Sequence, residues 1–229
     1  MENQATFDVL IVNGSPRGIA PELLRSLAAR SARVVAVDSG VRWAIGAGLV
    51  PDLLIGDMDS APADVLAACD ERNVPRVQVD PVAKNETDLE LALAHVRGEG
   101  ARRIAVTNFL GGRIDHELAS MGALARSGLD VTGFEDGCTV GFLCDGVDAG
   151  AMPGELRPVE LGVRLGDEFS VVALWGSARV TQSGVRYPQD GAELGPLSGL
   201  GISNVLESED AFVRVEEGRV AVIAPHAVA

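Results

Sequence analysis

Short continuous apolar runs recur through the first 145 residues, at Val9–Val12, Val34–Val37, Leu53–Ile55 and Ile104–Val106, and each ends near Gly, Asp, Asn or Thr. Between them lie helix-like stretches around Pro21–Ala32, Pro62–Asn73, Asp88–Arg97 and Asp115–Ser127. Alternation of this kind predicts βαβ units, with a mostly parallel sheet flanked by helices on both faces. Ligands of such sheets sit outside the carboxyl ends of the strands.

The pattern changes after about Gly146. Pro153-Gly154, Gly162, Gly166-Asp167 and Gly184 punctuate short β-branched runs such as Phe169–Leu174, Ala211–Val215 and Val220–Ile223. Frequent turn signals between such runs predict a smaller, sandwich-like antiparallel β domain. The expected organisation is therefore an α/β domain over 1–149 and an all-β domain over 150–229, with no internal repeat.

Composition narrows the chemistry. Of the 229 residues 47% are hydrophobic and 23% charged, and 19 Lys and Arg face 33 Asp and Glu, for a net charge of −14. Sequence-independent nucleic-acid binding relies on basic patches, so this acidity argues against it. Phosphate ligands stay open, because a bound metal can supply local positive charge. No apolar run approaches a membrane span and no leader-like segment precedes Phe7, so a cytoplasmic location is expected. Cys69, Cys138 and Cys144 have no metal-ligand spacing and read as small buried hydrophobes.

The densest chemical signal is Pro51-Asp52-Leu53-Leu54-Ile55-Gly56-Asp57-Met58-Asp59-Ser60, an apolar strand running into paired aspartates. At extended spacing Asp57 and Asp59 point to one side. Two carboxylates so placed repel each other unless a cation lies between them, and Mg²⁺ favours one or two carboxylates together with phosphate oxygens. The plainer alternative is a helix start, with Asp59 or Ser60 as N-cap and Pro62 in the first turn.

A second signal, Lys84-Asn85-Glu86-Thr87-Asp88, has the Thr87/Glu90 spacing of a capping box. Asp88 suits the positive end of that helix and can also face a metal. Lys84 is suited either to phosphate or to solvent. The third is Leu110-Gly111-Gly112-Arg113-Ile114-Asp115-His116. Its glycines would let backbone N–H groups approach an anion at a helix N-terminus. Arg113 offers a planar fork for phosphate, and is expected to face a ligand rather than a surface carboxylate. His116 is not assigned as a base. The chain has neither a G-x-x-x-x-G-K-[ST] loop nor the protein-kinase motif set.

These motifs, with Asp38-Ser39-Gly40 before them and Thr181-Gln182-Ser183-Gly184-Val185-Arg186-Tyr187-Pro188 and Gly201-Ile202-Ser203-Asn204 after them, resemble those of the thiamine pyrophosphokinases in order and approximate spacing. The resemblance runs from about Val9 to Ile223. It implies a Mg²⁺-dependent transfer of a pyrophosphoryl group from ATP to the hydroxyl of thiamine, giving thiamine diphosphate and AMP. It also implies a homodimer whose sites combine both subunits. Asp57, Asp59 and Asp88 would hold Mg²⁺, and Arg113 would contact the phosphates. Asp38, Lys84 and Asp115 would line the substrate site, with Tyr187 beside thiamine and Ser203 and Asn204 at its pyrimidine end. Asn85 stands where the family usually has Asp, and Ser39 where Gly is more common. A pyrophosphokinase for another hydroxymethyl heterocycle, such as a pterin, and a non-catalytic thiamine or nucleotide sensor are the rival readings. A Mg²⁺-dependent nucleotide hydrolase is a third.

Overall fold

In a computed structural model of the chain, residues 6–59, 61–78, 85–146, 150–174 and 176–226 are described. The four apolar runs of the N-terminal half are strands, β1 (Val9–Val12), β2 (Val34–Val37), β3 (Leu53–Gly56) and β5 (Arg103–Thr107), and a further short strand, β4 (Arg76–Gln78), lies between β3 and β5 in the chain. The intervening helices are α1 (Pro21–Ala29), α2 (Val41–Gly46), α3 (Ala63–Asp70), α4 (Asp88–Gly98) and α5 (Ile114–Arg126). The strands pair in parallel in the order β5-β1-β2-β3-β4.

Side chains alternate across a strand. Leu10, Val12, Val34 and Ala105 therefore share a face with Leu24 and Leu27 of α1, and Ala36 and Leu54 continue it against Val41 of α2 and Cys69 of α3. The intervening Ile11, Val35 and Ile55 are buried as well, and α4 packs on β2 and β3. Burial on both faces explains why these strands read as unbroken apolar runs. The polar β4 is an edge strand, which is why no apolar run marks it.

The chain divides into two units, Met1–Ser127 with Phe134–Asp136, and Gly128–Gly133 with Gly137–Ala229. The strand β6 (Asp130–Glu135) is divided between them. The second unit contains β7 (Cys138–Cys144), β8 (Glu155–Leu156), β9 (Glu168–Ala173), β10 (Ala178–Ser183), β11 (Gln189–Leu194), β12 (Asn204–Val205), β13 (Phe212–Glu217) and β14 (Arg219–Pro225). Two antiparallel arrays, β12-β9-β14-β7 and β11-β10-β13-β8, form it. Phe169, Val171, Val220 and Val222 from the first array meet Val180, Leu194, Val213 and Val215 from the second in one core. This is the sandwich packing that the turn-rich pattern predicts.

The division lies earlier in the chain than Gly150. The cause is β7, whose apolar run gives no sign of its partner and which pairs with β14 over its full length, from Cys144 opposite Arg219 to Cys138 opposite Pro225. Cys69 and Cys144 are buried, whereas Cys138 is only half-buried. Among the described residues no helix is long and apolar enough to cross a membrane.

Candidate active site

The loops that follow β1, β2 and β5, together with the N-terminal ends of α4 and α5, surround two adjoining cavities. The first, about 420 Å³, is lined by Asn13, Asp38, Thr87, Asp88, Asp115 and His116 among others. The second, about 320 Å³, shares Asn13, Asp38 and His116 and extends to Asn108, Gly112 and Arg113. Three non-glycine residues just beyond β2, β3 and β5 hold left-handed backbone: Asp38 at φ 47°, Met58 at φ 61° and Asn108 at φ 59°. Such conformations persist only where the surroundings over-determine them, and they concentrate at functional sites. The surroundings are tight here. A Cβ on Gly40, in the turn after β2, would lie 2.1 Å from the carbonyl oxygen of Val12.

Carboxylates gather at this end of the sheet. Asp38, Asp57 and Asp59 each place a ligand atom within 4.8 Å of the others. The convergence of Asp57 and Asp59 does not arise from extended backbone. Met58 turns left-handed between them and packs against the core under α2 and α3, and the Asp59 N–H donates to Oδ1 of Asp57 at 3.2 Å. Repulsion from Asp57 is the main cause that lifts the Asp59 carboxyl above the usual range, with Asp38 and Asp88 adding to it. Clustered hard oxygen donors that destabilise one another suit a divalent cation such as Mg²⁺.

The triad thus differs from the sequence expectation. Asp38 completes the close cluster, while Asp88 stands outside it, lines the same cavity as Asp38 and acts on Asp59 through its charge. Asp59 is not a helix cap, since α3 follows Pro62 with no side-chain cap. Ser60 and Lys84 lie outside the described residues. The capping box is present: Thr87 Oγ1 accepts from the Glu90 N–H at 3.3 Å, and Glu90 Oε2 accepts from the Thr87 N–H at 2.9 Å.

The glycine loop departs from expectation in its chemistry. The N–H groups of Gly111 and Gly112 donate to Oε1 of Glu117, at 2.7 and 2.9 Å, and so are committed within the chain. Those of Phe109 and Leu110 donate to Oε1 of Glu135, at 2.7 and 3.1 Å. The glycines serve packing instead. Gly111 has φ +87°, and a Cβ there would meet Cβ of Arg17 at 2.9 Å. Ser15 Oγ donates to the Leu110 carbonyl at 2.7 Å, and Asn13 Nδ2 donates to the Asn108 carbonyl at 3.3 Å, lacing this loop to the one after β1.

Arg113 is also found elsewhere than expected. It forms a fork with Asp115, Nε to Oδ1 at 3.1 Å and Nη2 to Oδ2 at 2.5 Å. The pairing holds the Asp115 carboxyl below its usual range. Both side chains are largely exposed, at 74% and 58%, so solvent screens the pair and it opens at little cost.

In the second unit Tyr187 is 61% exposed and Ser203 is exposed, with backbone φ 55°. Asn204 is buried and saturated. Its Nδ2 donates to Gln182 Oε1 and to the Tyr187 carbonyl, and its Oδ1 accepts from the N–H groups of Tyr187 and Val205. An amide has two donors and two acceptor sites. All four are used, so Asn204 holds the Tyr187 backbone rather than offering contacts to a ligand.

Sequence reasoning missed Glu135. Burial is the chief cause that pushes its carboxyl up to about 7, against the backbone N–H groups of Leu110, Phe109 and Asn108, which lower it. The Phe109 and Leu110 N–H groups both use Oε1. A carboxyl raised above its unfolded pKa of 4.5 stabilises the fold while protonated, so the contribution is complete below pH 4.5 and is lost as pH rises through about 7. A Glu135→Gln variant lacks this titration. Across that interval, urea unfolding should show the wild type losing roughly 3 kcal/mol relative to the variant. Parallel stability curves would show that Glu135 stays ionised.

Residues 24–132 match the family model of the thiamin pyrophosphokinase catalytic domain. A thiamine pyrophosphokinase of Bacillus subtilis (strain 168) is 30% identical over 116 residues, which are 51% of this chain and 53% of that relative, so the chain spans about half the length of the curated relative it matches. The crystal structure of thiamine pyrophosphokinase from Bacillus subtilis superposes with a TM-score of 0.76 at 21% identity, over 95% of this chain and 98% of the other. Thiamin pyrophosphokinase from Geobacillus thermodenitrificans gives 0.76 at 22%, over 96% and 98%. The Candida albicans enzyme gives 0.73 at 16%, over 95% and 90%. Structural likeness at these identities establishes the shared fold.

Proposed function

We infer that this chain, related to the thiamine pyrophosphokinases in sequence over residues 24–132 and in fold over nearly its whole length, transfers the pyrophosphoryl group of ATP to thiamine. The observation that carries the reading is the convergence of Asp38, Asp57 and Asp59 beside a cavity that also receives Asp88, Asp115 and His116. A pure sensor of thiamine or nucleotide has no need of a carboxylate cluster at a transferred group.

Asp57 and Asp59, with Asp38 and Asp88 close by, would hold Mg²⁺, which would neutralise charge on the polyphosphate. Arg113 would exchange Asp115 for phosphate oxygens, its planar fork matching either partner. The thiamine hydroxyl oxygen forms a bond to the β-phosphorus as the bond from that phosphorus to the bridging oxygen of AMP breaks, and the hydroxyl proton is released. Positioning and charge stabilisation carry such a step, and a strong base is not required when the transition state is loose. His116 therefore needs no role as a base.

Thiamine carries a cationic thiazolium, for which an exposed aromatic face is a suitable neighbour. Tyr187 offers one in the second unit, near the exposed Leu200 and Ile202 in sequence, while Ile114 and Leu118 of α5 expose apolar surface beside Arg113. These surfaces support a homodimer in which Tyr187 of one subunit serves the aspartates of the other. Mixing Asp57→Ala and Tyr187→Ala proteins under subunit exchange should restore activity, because a mixed dimer has one intact site. No recovery despite proven exchange would place each site within a single chain.

The reading itself is tested with ATP, Mg²⁺ and a panel of thiamine, a hydroxymethylpterin and a hydroxymethylpyrimidine. AMP release that depends on thiamine alone supports it. Release with the pterin, or without any acceptor, favours a different pyrophosphokinase or a hydrolase.

A further inference from the structure

The backbone that precedes Arg113 is fastened in an unusual way: four consecutive N–H groups, from Phe109 to Gly112, all end on two carboxylates. Glu135 comes from the end of β6 and takes the first two. Glu117 comes from the first turns of α5 and takes the second two. Backbone amides at a glycine loop before a helix are ordinarily available to anions. Here they are withheld, which leaves Arg113 as the anion-seeking group of the loop.

We propose that Glu117 and Glu135 are positioning residues for Arg113, fixing through four backbone hydrogen bonds the loop from which its guanidinium reaches the polyphosphate. The proposal rests on the reading of the site as a pyrophosphokinase centre. Glu117 lines the second cavity beside Arg113, yet its Oε1 is committed to the loop, and neither glutamate is assigned a contact with substrate. Each uses one oxygen, Oε1, for the two bonds described, so the geometry requires an acceptor oxygen with two lone pairs and does not require a negative charge. An amide oxygen meets that need. The loop is otherwise held by the Ser15 hydroxyl on Leu110 and by Asn13 on Asn108, neither of which engages residues 111 and 112. Removing Glu117 therefore orphans two N–H groups directly before Arg113 and lets the loop relax.

The test compares Glu117→Gln with Glu117→Met in the full-length protein, each alone and combined with Arg113→Ala. Displacement of a positioned group by about 1 Å can cost on the order of 10²-fold. Glu117→Met should therefore lower kcat/KM for ATP roughly 10- to 100-fold while leaving the KM for thiamine unchanged. Glu117→Gln should keep at least about a third of wild-type kcat/KM, since both hydrogen bonds survive. In the Arg113→Ala background Glu117→Met should add little, because the group it positions is gone. The same pair of substitutions at Glu135 should follow the same order.

Should Glu135→Met fail to fold, the Glu117 series, on a half-buried helix position, decides the matter alone. Equal losses in the Gln and Met variants, or a full additive loss on top of Arg113→Ala, would overturn the inference. Absence of turnover in the wild type would instead overturn the functional reading. In that case the series is read by calorimetric binding of a non-hydrolysable ATP analogue, where the same Gln-against-Met order is expected and equal affinities count against the inference.

Discussion

An Asp57→Asn protein is expected to lose turnover by roughly 10²–10³-fold, the usual cost of removing one charge-stabilising group from a centre of this kind. The substitution keeps shape and removes charge at the middle of the Asp38–Asp57–Asp59 cluster, whose members place ligand atoms within 4.8 Å of one another. It also removes the principal cause of the raised Asp59 carboxyl. A second readout separates metal binding from catalysis. A ligand that binds only the folded state raises Tm, and at saturating Mg²⁺ the wild type should gain on the order of 5 °C. Asp57→Asn should gain little or nothing. A variant that is inactive yet keeps the full Mg²⁺-induced rise would show that the ion sits elsewhere.

Arg113→Lys should be nearly as damaging, with a loss on the order of 10²-fold, even though charge is conserved. The structure shows how this guanidinium binds a planar anion: it grips Asp115 with Nε and Nη2 together. A phosphate offers oxygens for the same fork, and lysine, a compact point charge with no rigid geometry, cannot reproduce it. The loss should appear in kcat/KM for ATP with thermal stability unchanged, because the existing Arg113–Asp115 pair is exposed and screened. Turnover within about threefold of wild type would mean that a point charge suffices and that the fork has no part in catalysis.

Among the N-terminal strands β1, β2, β3 and β5 were legible because they are buried on both faces, whereas the polar edge strand β4 was not. Val9–Val12 and Val34–Val37 were expected as they are found. α4 was legible from its capping box, a local device written in Thr87 and Glu90. Features that depend on distant partners were not. β7 looks like any buried strand, and only its pairing with β14 assigns it to the second unit. Asp57 and Asp59 do converge, but through left-handed backbone at Met58, a conformation that an apolar residue does not advertise. Asn204 reads as a polar contact until its four hydrogen bonds show it to be spent within the sandwich.

The glycine loop shows the same limit from the other side. Gly111 and Gly112 signalled close approach, and close approach is what they provide, to Arg17 and Pro16 rather than to a ligand. Glu135, which binds the loop from 26 and 25 residues away, left no local signal. Glu117 did leave one, since a carboxylate in the first turns of the helix after a glycine loop stands within reach of that loop's amides.

Pyrophosphoryl transfer is read out by a mass-resolved reaction of the wild-type protein with ATP, Mg²⁺ and thiamine. Thiamine diphosphate and AMP are expected in equal amounts, with the β- and γ-phosphorus of labelled ATP both found in the thiamine product. Formation of ADP with thiamine monophosphate, or of AMP with free pyrophosphate and unchanged thiamine, would contradict it.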